Sequence, residues 1–336
     1  MHRSLLLSGL LLAACDTPEK GDGDAIPAER ADDTEDSGHT DDSGDSVDDG
    51  VTWYKDVQPV LAEHCHGCHS PTSIAFDLTD PETVSLLGDA IVGAVESGQM
   101  PPWPPSQECR PLLHERTLDA DEKAVFTDWL ERGSPIGDPA TAPDPDSLNP
   151  DIELPDSDVL LTLPEPYTPG GSVDDYRCFV VDPGFEEDVR VKGFSVHPDN
   201  AAIVHHVLVY TDVEHQAAAR DDAEEGPGYT CYGGPGFNET SVIGAWAPGS
   251  PGVVLPHDTA LSVSAGTPLV VQVHYSPAGD PGGSDQSSVS LDLADPEDDV
   301  QHVFFVPFLD SRLDIPPGAA DHEEGFTFTM DYGLDL

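Results

Sequence analysis

The chain has little positive charge. Of its 336 residues only 13 are Lys or Arg, against 65 Asp or Glu, for a formal net charge of −52. A polyanion of this kind repels phosphate backbones and anionic lipid headgroups, which excludes nucleic-acid binding and direct electrostatic docking on a membrane surface. Long apolar runs are missing as well: no stretch reaches the ~20 residues that span a bilayer. Methionine is scarce, with Met1, Met100 and Met330 as the whole supply. Hydrophobic residues make up 38%, low for a folded chain, yet they are unevenly spread and one half can still bury a core. At about 150 residues per domain the length favours two domains. The 33 Pro and 31 Gly argue against a long helical bundle and for strands, turns and linkers.

Much of the acidity is concentrated in residues 16–50, where 14 acidic residues and two basic ones, Lys20 and Arg30, lie among Gly, Ser and Thr. Such a tract cannot bury enough apolar surface to offset its ordering entropy, so it reads as a disordered, solvated tether. Ahead of it, Arg3 precedes an apolar stretch from Leu5 to Leu12 that ends in Leu12-Ala13-Ala14-Cys15. The charged start, short greasy middle and small residues describe an export signal over residues 1–15. A Cys directly after small residues resembles the lipobox of bacterial lipoproteins. That resemblance implies cleavage before Cys15, a lipid on Cys15 itself, and a place in the cell envelope held by the lipid anchor alone. An ordinary secretory signal is the alternative. Either reading puts the protein in a compartment where disulfides persist.

Cys65-His66-Gly67-Cys68-His69 is a C-x-x-C-H, the attachment pattern of c-type haem. Two thiols three positions apart at a helix end can reach both vinyl groups, and the next residue offers an imidazole to the iron. A zinc site would want a second ligand pair at matching spacing, and the chain has no second C-x-x-C. A thioredoxin-like pair would follow a strand, whereas Tyr54 to His64 reads as a helix. The sixth iron ligand is expected in a downstream loop. Met100, in Gly98-Gln99-Met100-Pro101-Pro102-Trp103, lies 31 residues after His69, and a His/Met pair would raise the reduction potential relative to a bis-His one. His64, His66 and His114 are the reserves. Asp119-Ala120-Asp121-Glu122 reads as an N-cap and capping box, followed by Val125, Phe126, Trp129 and Leu130 on one helix face and a stop at Gly133. Together these features resemble a small all-α cytochrome c-like domain over residues 51–138. Residues 139–156 form a Pro/Asp-rich linker.

From Val159 onward the texture changes to short β-branched runs: Val159 to Leu163, Val189 to Val196, Ile203 to Tyr210, Leu269 to Tyr275 and Val303 to Phe308. Pro-Gly, Gly-Gly and Asp-Pro steps separate them, the pattern of an all-β antiparallel sandwich. Within it, Val204-His205-His206-Val207-Leu208-Val209-Tyr210 places adjacent imidazoles in an apolar strand, and Val271-Gln272-Val273-His274-Tyr275 places a third in another. Three neutral imidazoles suit copper or zinc. Neighbours on a regular strand point to opposite faces, so His205 and His206 can share a metal only where the strand bends or ends. The competing arrangement has one His buried with a hydrogen bond and the other facing solvent.

These segments, with Gly244-Ala245-Trp246-Ala247-Pro248-Gly249 between them, resemble the copper type II ascorbate-dependent monooxygenases, the family of peptidylglycine alpha-hydroxylating monooxygenase and dopamine beta-hydroxylase. The resemblance covers about residues 157–335. It implies two jelly-roll-like sandwich domains, each holding one copper, with His205, His206 and His274 binding the electron-transferring copper of the first domain, here residues 157–295. A c-type haem domain ahead of this module looks like an arrangement found in exported bacterial proteins, and it would make haem c the electron source for copper. The family's second domain uses a His-x-His motif and a later Met. Here residues 296–336 resemble only the start of that domain, with His302 and His322 single and Met330 too early. The expected role is therefore electron transfer within a monooxygenase-related protein, with a complementing domain in trans as one route to hydroxylation. The alternative is an electron-transfer c-type cytochrome lipoprotein whose β-sandwich is non-catalytic. The electron donor and the substrate are not identified by the sequence. Cys178 and Cys231 flank the His-His strand and are the expected disulfide in an oxidising compartment, closing a loop of about 53 residues. Cys109 is left over, as a free thiol or a competitor for either partner.

Overall fold

A computed structural model describes residues 50–102, 115–143, 156–305 and 314–327, apart from positions 72, 74, 172, 239, 240, 251, 257, 278, 320 and 326. Cys15, Cys109, His114, Met330 and the tether before residue 50 lie outside the described residues. Three hydrophobic clusters organise the rest: one helical, one built between β-sheets and a smaller one around Cys178 and Cys231.

In the N-terminal part a π-helical turn, Trp53–Val57, leads directly into α1 (Gln58–His64). Helices α2 (Pro81–Leu86), α3 (Gly88–Glu96) and α4 (Ala120–Glu131) follow. Two of the starts, those of α2 and α4, are capped by a side chain. The Asp80 side chain accepts from Thr83 N at 2.8 Å. Asp119 accepts from Asp121 N and Glu122 N while Glu122 reaches back to Asp119 N, the reciprocal capping box that the sequence announced. Gly133, at φ 79°, closes the last turn in the left-handed region that glycine enters freely. Trp53 and Trp129 meet at 5.7 Å between ring centroids and anchor a core with Val57, Leu61, Val84 and Phe126.

The C-terminal part is mostly sheet. β1 (Val159–Thr162), β2 (Asp175–Val181), β3 (Val189–His197) and β4 (Val204–Thr211) precede a short helix α5 (Ala217–Asp221). β5 (Tyr229–Thr230), β6 (Val242–Trp246), β7 (Val253–Val254), β8 (Thr259–Val263), β9 (Leu269–Tyr275), β10 (Ser288–Leu293) and β11 (Gln301–His302) complete it. One sheet runs β1-β10-β3-β8-β11 with β7 also on β3, and the other runs β5-β2-β9-β4-β6. Inward side chains of both sheets, among them Phe179, Val191, Phe194, Val207, Val209, Leu261, Val271 and Leu291, share one core. This is consistent with a β-sandwich.

Two expectations need correction. The sheets are not wholly antiparallel, because β11 pairs with β8 in parallel. Val303 to Phe308 is not a strand over its described part: the backbone of Val303 makes one bond to Ala260 O, then Phe304 and Phe305 run on exposed. An apolar β-branched run becomes a strand only beside a partner, and none accompanies Phe304 and Phe305 among the described residues.

β9 is buried at all of its positions, which an alternating strand with one wet face would not be. Val271, Val273 and Tyr275 face the inter-sheet core. Val270, on the opposite face, packs with Cys178, Tyr210, Ala217, Tyr229 and Cys231. The segment after β4 therefore folds back over the outer face of the five-stranded sheet. The Cys178–Cys231 disulfide pins it there, with Cα atoms 5.8 Å apart.

Candidate metal centre

The outer face of the five-stranded sheet is where the histidines meet. In β4, Val204 and Val207 both point into the inter-sheet core. Regular alternation forbids that for residues three apart. The register explains it: Val204 pairs with Tyr275 and His206 with His274, so two steps along β4 match one step along β9. This is a β-bulge with His205 as the extra residue, and it turns both His205 and His206 away from the core. His274 lies on the same face because it alternates with the inward Val273 and Tyr275.

The three imidazoles converge through one kind of atom. His206 Nδ1 is 3.2 Å from His205 Nδ1 and 3.1 Å from His274 Nδ1. All three residues offer ligand atoms within 4.8 Å of one another. At metal–nitrogen bonds of ~2.0–2.1 Å, ligands set between right-angled and tetrahedral directions lie about 2.9–3.4 Å apart. The spacing thus fits a three-nitrogen site for a borderline metal ion. The electrostatics agree. Burial, reinforced by His274 and His205, lowers the His206 pKa to about 4. His274 is lowered by burial and then by His205, with Asp174 opposing. At neutral pH the lone pairs of these two rings are free for a metal, and metal binding needs them so.

The surroundings hold His274 in place. Tyr176, directly across the β2–β9 ladder, stacks on it at 4.1 Å with the rings 5° from parallel. Tyr232 meets Tyr176 edge-on at 4.9 Å. Asp174 Oδ2 stands 3.4 Å from His274 Nε2, at ion-pair range without hydrogen-bond geometry. The sequence reading missed Asp174 and Tyr176. The available signal was position, since Tyr176 lies on, and Asp174 just before, a strand that Cys178 and its disulfide tie to this face.

The Cys65–His69 segment forms its own tight turn at the end of α1. Cys68 N and His69 N both donate to Cys65 O, at 3.0 and 2.9 Å, which gathers the two cysteines and the histidine on one turn. His69 Nδ1 is 2.9 Å from Phe76 O. A carbonyl only accepts, so Nδ1 carries the proton and Nε2 keeps its lone pair, the tautomer that a metal-ligating imidazole requires. Neither cysteine is in a disulfide. Burial, with Cys68 adding and Arg116 opposing, pushes the Cys65 thiol up to about 12. That is the reverse of the depressed pKa that makes a reactive redox pair. Met100 follows α3, 40% exposed, with its backbone N donating to Ala94 O at 3.0 Å. Of the reserve ligands, His66 Nε2 is 3.2 Å from Leu78 O and His64 Nε2 is 3.2 Å from Glu122 Oε1.

Glu63, His64 and Glu122 form a second group whose ligand atoms lie within 4.8 Å. No sequence pattern marks it: Glu122 is 58 residues from His64 and its spacing signals only a helix cap.

Compared with known proteins, the chain matches no family model and no curated sequence. The class defined by fold and site is thus a mainly β-sheet protein, with a few helices, whose three-His group could hold a metal ion.

Proposed function

We propose that this is an exported redox protein related to the copper type II monooxygenases, anchored in the cell envelope through a lipid on Cys15 and carrying one haem c and one copper. The observation that carries the reading is the convergence of three Nδ1 atoms from a bulged strand and its neighbour. His205, His206 and His274 would hold the copper. Cys65 and Cys68 would bind the haem covalently, and His69 and Met100 would hold its iron, in a cytochrome c-like domain. Bound there, the two groups supply one-electron redox chemistry. The chain's own residues do the rest: the bulge aims two adjacent imidazoles, Tyr176 and Asp174 orient the third, and the Phe76 carbonyl fixes the His69 tautomer. An all-nitrogen set of this kind suits copper or zinc, and the redox partner upstream favours copper.

His274→Ala is the direct test. The variant is expected to lose stoichiometric copper, measured by metal analysis of the purified mature chain, while its reduced-minus-oxidised haem spectrum stays at wild type. Unchanged copper content would overturn the site. A wild-type chain without a haem spectrum would overturn the assignment of Cys65, Cys68 and His69.

A further inference from the structure

The Cys65–His69 turn does not stand apart from the sheet that carries the histidines. Cys68 Sγ is 3.0 Å from Pro248 O. A Cβ placed on Gly67 would lie 3.1 Å from Gly249 Cα, so the two backbones are in contact. Gly249 sits at φ 78°, and a Cβ there would come within 2.8 Å of Cys68 Sγ and 3.0 Å of the Gly67 carbonyl carbon. Only glycine meets both conditions, the left-handed backbone and the close approach. Arg116 bridges the contact: its Nη2 donates to Gly249 O, and its Nη1 lies 3.8 Å from Cys68 Sγ.

The position of this contact is informative. Pro248 and Gly249 directly follow β6, the edge strand beside β4, and Trp246 pairs with Val207 in antiparallel register. Past Trp246 the chain leaves the ladder and turns at once, Ser250 N donating to Ala247 O at 2.9 Å, so Pro248 and Gly249 sit at the end of β6 that lies across from Val207, the residue after His206. Trp246 lies ~5 Å across the ladder from Val207, and Pro248 is two residues further along the chain, at most ~7 Å away, which puts the cysteine turn on the order of 10–20 Å from the bulged histidines.

We infer that Gly67, Arg116, Pro248 and Gly249 form a built-in docking contact that holds the haem-binding turn beside the three-His group, so that electrons pass between the two within one chain. This rests on the proposed function and adds its route. The exchange oxidises the iron by one electron and reduces the copper by one. No bond is made or broken, and no further reactant is needed. Gly249, Pro248 and Arg116 are positioning residues here. Thioether formation removes the Cys68 proton and with it the S–H···O contact, but the glycine–glycine contact and the Arg116 clamp do not depend on that proton.

The test uses the full mature chain and two variants. Gly249→Val introduces a side chain where Cys68, Gly67 and Arg116 leave no room, and Arg116→Gln removes the clamp with no added bulk. Haem and copper content are measured first, then amide exchange over Ala245–Ser250, then the rate at which reduced haem is reoxidised by bound copper in anaerobic stopped flow. Both variants are expected to keep haem and copper at wild-type levels, to raise exchange over Ala245–Ser250, and to slow the intramolecular transfer at least tenfold. Raised exchange with a transfer rate within twofold of wild type would overturn the docking route. Exchange unchanged in both variants would overturn the contact itself. A wild-type chain lacking either group would instead sink the functional reading, and would show as missing absorbance or metal before any rate is taken.

Discussion

His274 depends on neighbours that donate no ligand atom. Its Nε2 is buried with Asp174 Oδ2 3.4 Å away, and a carboxylate near the distal nitrogen raises ligand basicity. Asp174→Asn is expected to weaken metal binding at the three-His group by roughly 10–100-fold, measured by competitive titration, with the fold and the Cys178–Cys231 bond intact. A different residue sets a pH dependence. Burial raises the Asp292 carboxyl above the ordinary aspartate value of 3.8, and Lys192 Nζ, 3.3 Å away, opposes this only in part. The folded state then binds that proton more tightly than the unfolded state does. Its contribution to stability is full below about 3.8 and is lost as pH rises through the raised folded value. Asp292→Asn removes the effect, so the Tm difference between wild type and variant should shift in favour of wild type as pH is lowered from about 7 to about 4.

Among the elements, α4 was the most legible. Asp119 and Glu122, three apart before an apolar face, specified its start, and the structure has the box closed on both sides. Asp119→Ala leaves Asp121 N and Glu122 N without their acceptor and should lower stability by about 1 kcal/mol, read in a denaturant titration. β9 was legible as a strand but not as one buried on both faces. Its outer cover comes from the segment between β4 and β6, whose Pro, Gly and Asp content reads only as loop. The β4 bulge was not legible at all. Val-His-His-Val is compatible with a regular strand, and the extra residue shows itself only through the pairing of Val204 with Tyr275 and His206 with His274. Val303 to Phe308 fails in the opposite direction, since β-propensity without a partner strand leaves Phe304 and Phe305 outside any sheet.

For the whole molecule, the Cys178–Cys231 bond does more than close a loop. It spans a sequence separation of 53, and Tyr176, which stacks on His274, and Tyr232, which meets Tyr176 edge-on, lie within two residues of its ends. Gln272 Nε2 also donates to Cys231 O, two residues before His274 on β9. Reduction is expected to cost on the order of 4 kcal/mol and to lower the Tm of the sheet part by roughly 10 °C, followed by differential scanning calorimetry with and without reductant.

The sequence by itself determined the parts whose chemistry is local: the start of α4, the C-x-x-C-H pattern, the strand segments at β1, β3, β4 and β9, the acidic excess and the three residues of the candidate centre. Only the tertiary structure decided that those three imidazoles face one point, that the disulfide braces their neighbours, and that the cysteine turn touches the loop beside them. The reason is physical. A hydrogen bond between residues three apart is fixed by their spacing, whereas the facing of His205 depends on a one-residue shift in how β4 meets β9. That shift is set by core packing of Val204, Val207 and Tyr275, which no window along the chain contains.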